Sequence, residues 1–421
     1  MPPDGTSWSN GRADETPGGG YSGDAMSRWA VLGLVTLAHA LGALSVLSVA
    51  PLAPLLREAL GLTRAQVGLL VPAVYLGGVS MALPAGWLTD RLGVRLTLAL
   101  GQLVIGAMVV AAAGVDDLPA LLVLLVLAGC GFSVLNPASG KAVVEWFPPR
   151  RRGLAMGVKQ TGLTVGGMTA ALALPPVAVA FGWPVALAVA GTVSLVSSAL
   201  VALLYRTPAS RAAPDTAADR PRMRELGVFL RRPGVLVVFL SGFALSVAQA
   251  SVLAHTALFA LETFQVSSVT AARVLAVAQL GGTAARLAWG GVSDRFFAGR
   301  RRPGVVASAL VATAAYAAFA FGDRLAVAAL APVALVAGVG AFGWVGLYFA
   351  LVAEIGGARY AGLLTGVAVG FAWSGVLVGP LLFGLAVDAT GSYTVPWVLL
   401  AGLSMLVALA LPRPAPLVDR G

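Results

Sequence analysis

The sequence is poorest in charge. Only 11% of its 421 residues are Asp, Glu, Lys or Arg, against 58% hydrophobic, and the mean hydropathy is +0.88. A soluble domain cannot hide that much apolar surface, so the chain is an integral membrane protein. Acid is scarcer than base, with 18 carboxylates against 28 basic residues, and every carboxylate falls in a tail, a loop or a helix end. There is one cysteine, Cys130, inside an apolar run, which excludes a disulfide framework and a Cys-based metal site. No metal-ligand cluster and no nucleophile–base pair occurs in the loops, so neither a cofactor nor an enzyme is expected. The net charge of +10 is scattered over short loops rather than gathered on a face with interleaved aromatics, which argues against a nucleic-acid partner.

What is present is a series of long apolar runs. A spanning helix needs about 20 mostly apolar residues. Twelve such runs lie near 29–54, 65–89, 96–115, 118–142, 153–180, 184–205, 233–260, 270–292, 303–322, 326–353, 360–387 and 393–412. The eighth is the weakest, because Arg273 and Arg286 interrupt it. Backbone groups in hydrocarbon must be satisfied internally, so these runs are helices, and the alternating ten-residue strands of a barrel are absent. The predicted organisation is a disordered cytoplasmic tail (1–27), a six-helix bundle (28–205), a cytoplasmic linker (206–232), a second six-helix bundle (233–412) and a short cytoplasmic tail (413–421). The first tail lacks the apolar core of a signal peptide. Orientation follows from arginine: Arg91, Arg95, Arg150 to Arg152, Arg295, Arg300 to Arg302, Arg359 and the seven of the linker share one side. The other side receives only Arg57, Arg64, Arg324 and Arg273, so the basic side is predicted to be cytoplasmic, with both termini there.

The halves resemble each other. "GWLTDR" (Gly86 to Arg91) recurs as "GGVSDR" (Gly290 to Arg295), and Glu145 to Gly157 aligns with Glu354 to Gly366 at Glu, Arg, Gly, Leu and Gly. The longer stretch "GWLTDRLGVR" resembles the loop 2–3 signature of the major facilitator superfamily on Gly86, Leu88, Asp90, Arg91, Gly93 and Arg95. With the repeat and the twelve runs, the resemblance covers residues 28–412. It implies an all-α membrane fold of two pseudo-symmetric six-helix bundles, with a midplane site between halves that rock to expose it alternately.

Charges at the basic ends of the helices are the candidate gate. Asp90 closes helix 2 and can take a bidentate bond from an arginine, with Arg91 and Arg95 following, and Asp294 with Arg295 repeats the pattern. Glu145 with Arg150, and Glu354 with Arg359, bracket the corresponding later turns. The resemblance implies bonds that form when the two cytoplasmic ends close; the alternative is surface ion pairs worth under about 1 kcal/mol each. On the gate reading, Asp90→Asn keeps expression and cuts transport severely.

Two cations lie deeper. Arg286 sits eight residues from Asp294, about 12 Å into a core of about 30 Å. Lys159 sits seven residues beyond Arg152, about 10 Å inside the fifth run. An arginine near a helix centre costs about 2.5–3.5 kcal/mol on insertion scales, it cannot shed its proton, and no acid lies at its depth. The expectation is a site that takes an anion from outside, the guanidinium supplying a planar fork and the ammonium a movable charge. Lys159 could instead snorkel to the inner surface. Arg286 could instead be neutralised by Glu145, Glu354 or backbone carbonyls. The order Arg286, Trp289, Gly290, Ser293, Asp294 resembles helix 8 of the oxalate/formate antiporter and monocarboxylate porter branch, where the arginine holds a carboxylate. Oxalate carriers pair it with a lysine on helix 11, and residues 360–387 contain none. Lys159 substitutes, or the cargo carries one charge. Ala82 occupies the first-half position equivalent to Arg286, which argues against nitrate.

His39, midway along helix 1, is a candidate proton carrier or a structural histidine, while His255 reads as structural. Gln160, Asn136, Gln249, Tyr348 and Trp373 are candidates to line the cavity. The expected function is movement of a small organic anion, a mono- or dicarboxylate, across the cell inner (cytoplasmic) membrane, as proton symport or anion exchange, by a monomer in the lipid bilayer. The alternatives are a drug/proton antiporter, which usually carries an embedded acid, and a transporter-like sensor.

Overall fold

The structure is a computed structural model that describes residues 27–207, 233–297 and 300–412. The tails and most of the linker, three of the expected organisational units, lie outside the described residues, as do the side chains of Arg150, Asp294 and Arg359. The described chain is helical, with no strand among the described residues. Its helices are α1 (Arg28–Val46), α2 (Val49–Leu60), α3 (Arg64–Ser80), α4 (Ala82–Ala112), α5 (Leu118–Ser133), α6 (Leu135–Trp146), α7 (Pro149–Phe181) and α8 (Trp183–Leu204) in the first half. The second half holds α9 (Pro233–Phe264), α10 (Ser268–Phe296), α11 (Arg301–Ala320), α12 (Val327–Thr390) and α13 (Thr394–Ala410).

Three of the predicted spans are broken, and proline explains each break. A proline inside a helix cannot donate to the carbonyl four residues back, and its ring crowds that carbonyl. Pro51 stands four residues after Leu47, where α1 stops before α2 begins. Pro84 stands three residues after Met81, between α3 and α4. Pro137 stands three residues after Val134, between α5 and α6. The runs near 29–54 and 118–142 are therefore each two helices in line, and the second span is α3 plus the start of α4. Gly93, with φ 76°, turns the chain inside α4 from the second span to the third, a backbone state that a side chain disfavours. Val327–Thr390 is helical throughout and holds two spanning segments, Val327–Gly356 and Leu364–Thr390.

Nine stretches among the described residues are long and apolar enough to cross a membrane. The remaining three are α3 and α13, each short at 17 residues, and α10, which carries Arg273 and Arg286. Within each half, bare glycines let backbones touch: Gly77 and Gly129 face the Val126 and Val74 carbonyls of α5 and α3, and Gly106 and Gly191 join α4 to α8. Gly162 and Gly166 do the same between α7 and α1. Small residues at such crossings are how helices pack where no hydrophobic force draws them together.

Between the halves, α7 packs on α10, α3 on α12, and α2 on α9. At the end that holds Arg57 and Arg64, Ala53, Leu62 and Val67 of the first half close on Leu258 of the second in a small buried apolar cluster.

Candidate functional site

At the middle of the bundle, Arg286 projects from α10 toward the seam between the halves. It is partly buried, and its Nε–H donates to the Phe342 carbonyl at 3.2 Å. That is its one hydrogen bond among the described residues, and no described carboxylate pairs with it. Of the packing alternatives raised from sequence, the carbonyl is present and the acids are not: Glu354 pairs with Arg301 at 3.4 Å, and Glu145 lies beside Lys141 and Tyr205. Tyr75, on α3 of the other half, is within electrostatic reach of the guanidinium.

Lys159 does not snorkel. It is 3% exposed, and its Nζ donates to Asn136 Oδ1 at 2.8 Å, so an amide at the head of α6 holds the ammonium inside the first half. His39 lies within electrostatic reach of both Lys159 and Arg286. Its ring is buried, edge-on to Phe132 at 5.9 Å, and its Nδ1 has no hydrogen-bond partner.

Lys159, Asn136, His39 and Arg286 thus gather at one level, with Tyr75 joining them. Tyr75 also meets Trp373 of α12 edge-on at 6.2 Å, an aromatic contact across the seam. Toward the basic end, a cavity of about 390 Å³ runs along Val367, Gly370, Phe371 and Ser374. Gln160 is exposed, and Gln249 is partly buried with Oε1 unpartnered. Tyr348 does not join the group: it is wholly buried against Trp344 and Phe349 in its own half, where Gly242 makes room for its ring. His255 Nε2–H donates to the Pro380 carbonyl at 2.8 Å, and the ring stacks on Phe383. The sequence reading missed Tyr75 and also Gln279, whose buried Nε2 has no partner. The signal for Gln279 was available, since it stands seven residues before Arg286 on the same helix face.

At the basic end the described partner of Asp90 differs from the arginine expected, while the expected partners Arg150 and Arg359 and the Asp294 side chain lie outside the described residues. Asp90 receives Lys141 Nζ at 3.0 Å rather than an arginine, and the same ammonium donates to the Thr89 carbonyl at 3.3 Å. Lys141 wins because α6 passes beside the end of the second span, whereas Arg91 and Arg95 point elsewhere. Arg91 lies over the Trp87 ring at 5.3 Å, and Arg95 Nε donates to the Ala202 carbonyl at 2.6 Å. Glu354 pairs with Arg301, Arg295 is exposed, and the expected partner Arg359 has its side chain outside the described residues. Each of these pairs stays within one half.

The opposite end carries a cluster that the sequence did not announce. Glu262 of α9 is ion-paired with Arg57 Nη1 at 2.8 Å and accepts from Arg64 Nε at 2.9 Å and from the Tyr393 hydroxyl at 2.8 Å. Asp388 of α12 accepts the backbone N–H groups of Arg64 and Ala65 at 3.2 and 2.8 Å, so an acid from one half caps the N-terminus of a helix from the other.

Two half-bundles, joined at one end and carrying a cation at a midplane seam, define a multi-pass membrane transporter. The chain matches the Major Facilitator Superfamily over residues 35–376 and belongs to that family. It is a transporter and not an enzyme. Among relatives, an MFS-type transporter of Mycobacterium tuberculosis (strain H37Rv) is 36% identical over 152 residues, 36% of this chain and 34% of the relative. That match spans about a third of the mycobacterial protein. A hexuronate transporter of Bacillus subtilis (strain 168) is 25% identical over 384 residues, 88% of this chain and 90% of the relative. A solved bacterial homolog of the human lysosomal transporter Spinster superposes with TM-score 0.72 at 19% identity, over 91% of this chain and 94% of that one, which shows the shared fold. The resemblance to the oxalate/formate branch stays confined to α10.

Proposed function

We propose that the protein moves a small organic anion, carrying a carboxylate, by alternating access across the cytoplasmic membrane. The observation that carries this reading is Arg286: a fixed positive charge at mid-depth on the seam, with a carbonyl for company and no acid among the described residues. A cargo carboxylate would supply the missing negative charge and take the free edge of the guanidinium in a charge-assisted pair. The hexuronate transporter that aligns with most of the chain is named for an anion of this class.

The basic end is the cytoplasmic one on this reading, and the Glu262 end faces outward. Two couplings fit the site, symport with a proton carried on His39 and exchange of one anion for another. Drug/proton antiport fits less well, because no carboxylate lies mid-span.

The test is uptake into proteoliposomes from a panel of radiolabelled carboxylates, sugars and cationic drugs, with Arg286→Gln alongside. Carboxylate uptake is expected, falling on the order of 100-fold in the variant, since a charged hydrogen-bonded pair is worth up to about 3 kcal/mol. A cationic substrate, or an active glutamine variant, refutes the assignment.

A further inference from the structure

We propose that Gln160 forms the wall of the site opposite Arg286, and that its uncharged carboxamide restricts the cargo to one negative charge. This inference rests on the anion reading above and narrows it from carboxylates in general to monocarboxylates.

The placement follows from helix register. Gly167 of α7 is the point where that helix meets α10: a Cβ there would run into the Gln279 side chain. The helices are antiparallel across the seam, α7 leaving the basic end and α10 returning to it. Seven residues from Gly167 toward the basic end is Gln160, and seven residues from Gln279 in the same direction is Arg286. A heptad is two turns with a drift of about 20°, so both side chains remain on the facing stripes, about 10 Å beyond the contact. Gln160 and Arg286 therefore look at each other where the halves part. Gln160 is exposed there and makes no hydrogen bond among the described residues.

Lys159 cannot take that role. It is one residue away, about 100° around the helix, on the face whose Gly162 and Gly166 lie flat against α1. Asn136 holds its ammonium, and 3% exposure leaves no surface for a ligand oxygen. The seam thus presents one cation faced by an amide. An amide offers two N–H donors and a carbonyl, which suit a carboxylate edge or a hydroxyl. A second carboxylate would enter the membrane interior without a partner, and an unpaired buried charge is costly.

The experiment is proteoliposome uptake and competition with matched acids: D-glucuronate against D-glucarate, and benzoate against terephthalate. In the wild type, the single-charged member of the accepted pair is expected to outcompete its double-charged partner by at least about tenfold, the factor that 1.4 kcal/mol produces. Gln160→Lys is expected to raise the relative uptake of the double-charged acid, and Gln160→Glu to abolish monocarboxylate uptake. The wild-type ratio decides the question even where a variant folds poorly. A wild type that prefers the dianion, or a folded Gln160→Lys with an unchanged ratio, overturns the charge-counting role while leaving Arg286 in place. A wild type that moves none of these acids, nor any other carboxylate, removes the anion reading and this inference together.

Discussion

The two ends of the bundle are built from similar ion pairs put to opposite uses. At the Glu262 end, two arginines of the first half reach one carboxylate of the second, and Asp388 reaches back to the start of α3. At the Asp90 end, Lys141 holds Asp90, and Arg301 holds Glu354, each inside its own half. The bond lengths are comparable, 2.8 to 3.5 Å at the first end and 3.0 and 3.4 Å at the second. Among the described pairs, those at the first end cross the seam and those at the second do not. Asp90 of the repeated motif braces its own half, and the described bonds across the seam come from residues that belong to no motif.

The strongest way to break this comparison is to disarm the crossing cluster. Glu262→Gln is expected to open that end and nearly abolish transport. With Cys130→Ser and Leu258→Cys as background, labelling by a membrane-impermeant maleimide should rise on the order of tenfold, the shift that 1.4 kcal/mol produces. Unchanged labelling would mean that the apolar cluster around Leu258, not the ions, holds the end shut. Asp90→Asn comes next. Its carboxylate is 78% exposed and braces one half only, so expression and Leu258→Cys labelling should hold. Transport should fall by about fivefold, corresponding to about 1 kcal/mol; raised labelling would place Asp90 in the crossing lock after all. The smallest effect belongs to Lys141→Met, expected to lower the melting temperature by about 2 °C with transport within about twofold of wild type. A larger loss of transport than in Asp90→Asn would give the ammonium a role beyond that pair.

Much of the fold was legible because it depends on local composition. Apolar runs of spanning length, the positions of arginine and the repeated Gly-x-x-x-Asp-Arg segments need no tertiary information. The breaks near Leu47, Met81 and Val134 fall beside Pro51, Pro84 and Pro137, but Pro72, Pro175, Pro176, Pro332 and Pro380 lie inside continuous helices, so proline alone did not announce them. Partner choice was not legible either. Asp388 bonds Ala65 from 323 positions away, and nothing in either neighbourhood names the other. Asp90 found a lysine because α6 lies closer than its own arginines reach, which only packing decides. At the site, depth along a helix gave Arg286 and Lys159 their level but not their facing. Lys159 turned out to be held inside by Asn136, while its neighbour Gln160 is exposed.

The seam between α3 and α12 has a further consequence. Gly68 meets the Pro380 backbone and Gly384 meets the Arg64 backbone, with no side chain wedged between them. Where backbones meet at bare glycine, that part of the seam can slide or lift apart without a rotamer having to unthread. Resistance to opening is then concentrated in a handful of polar groups at the rim, like a smooth lid held by a single catch. A joint of that kind lets the modest energy of one bound small molecule tip a motion of twelve helices.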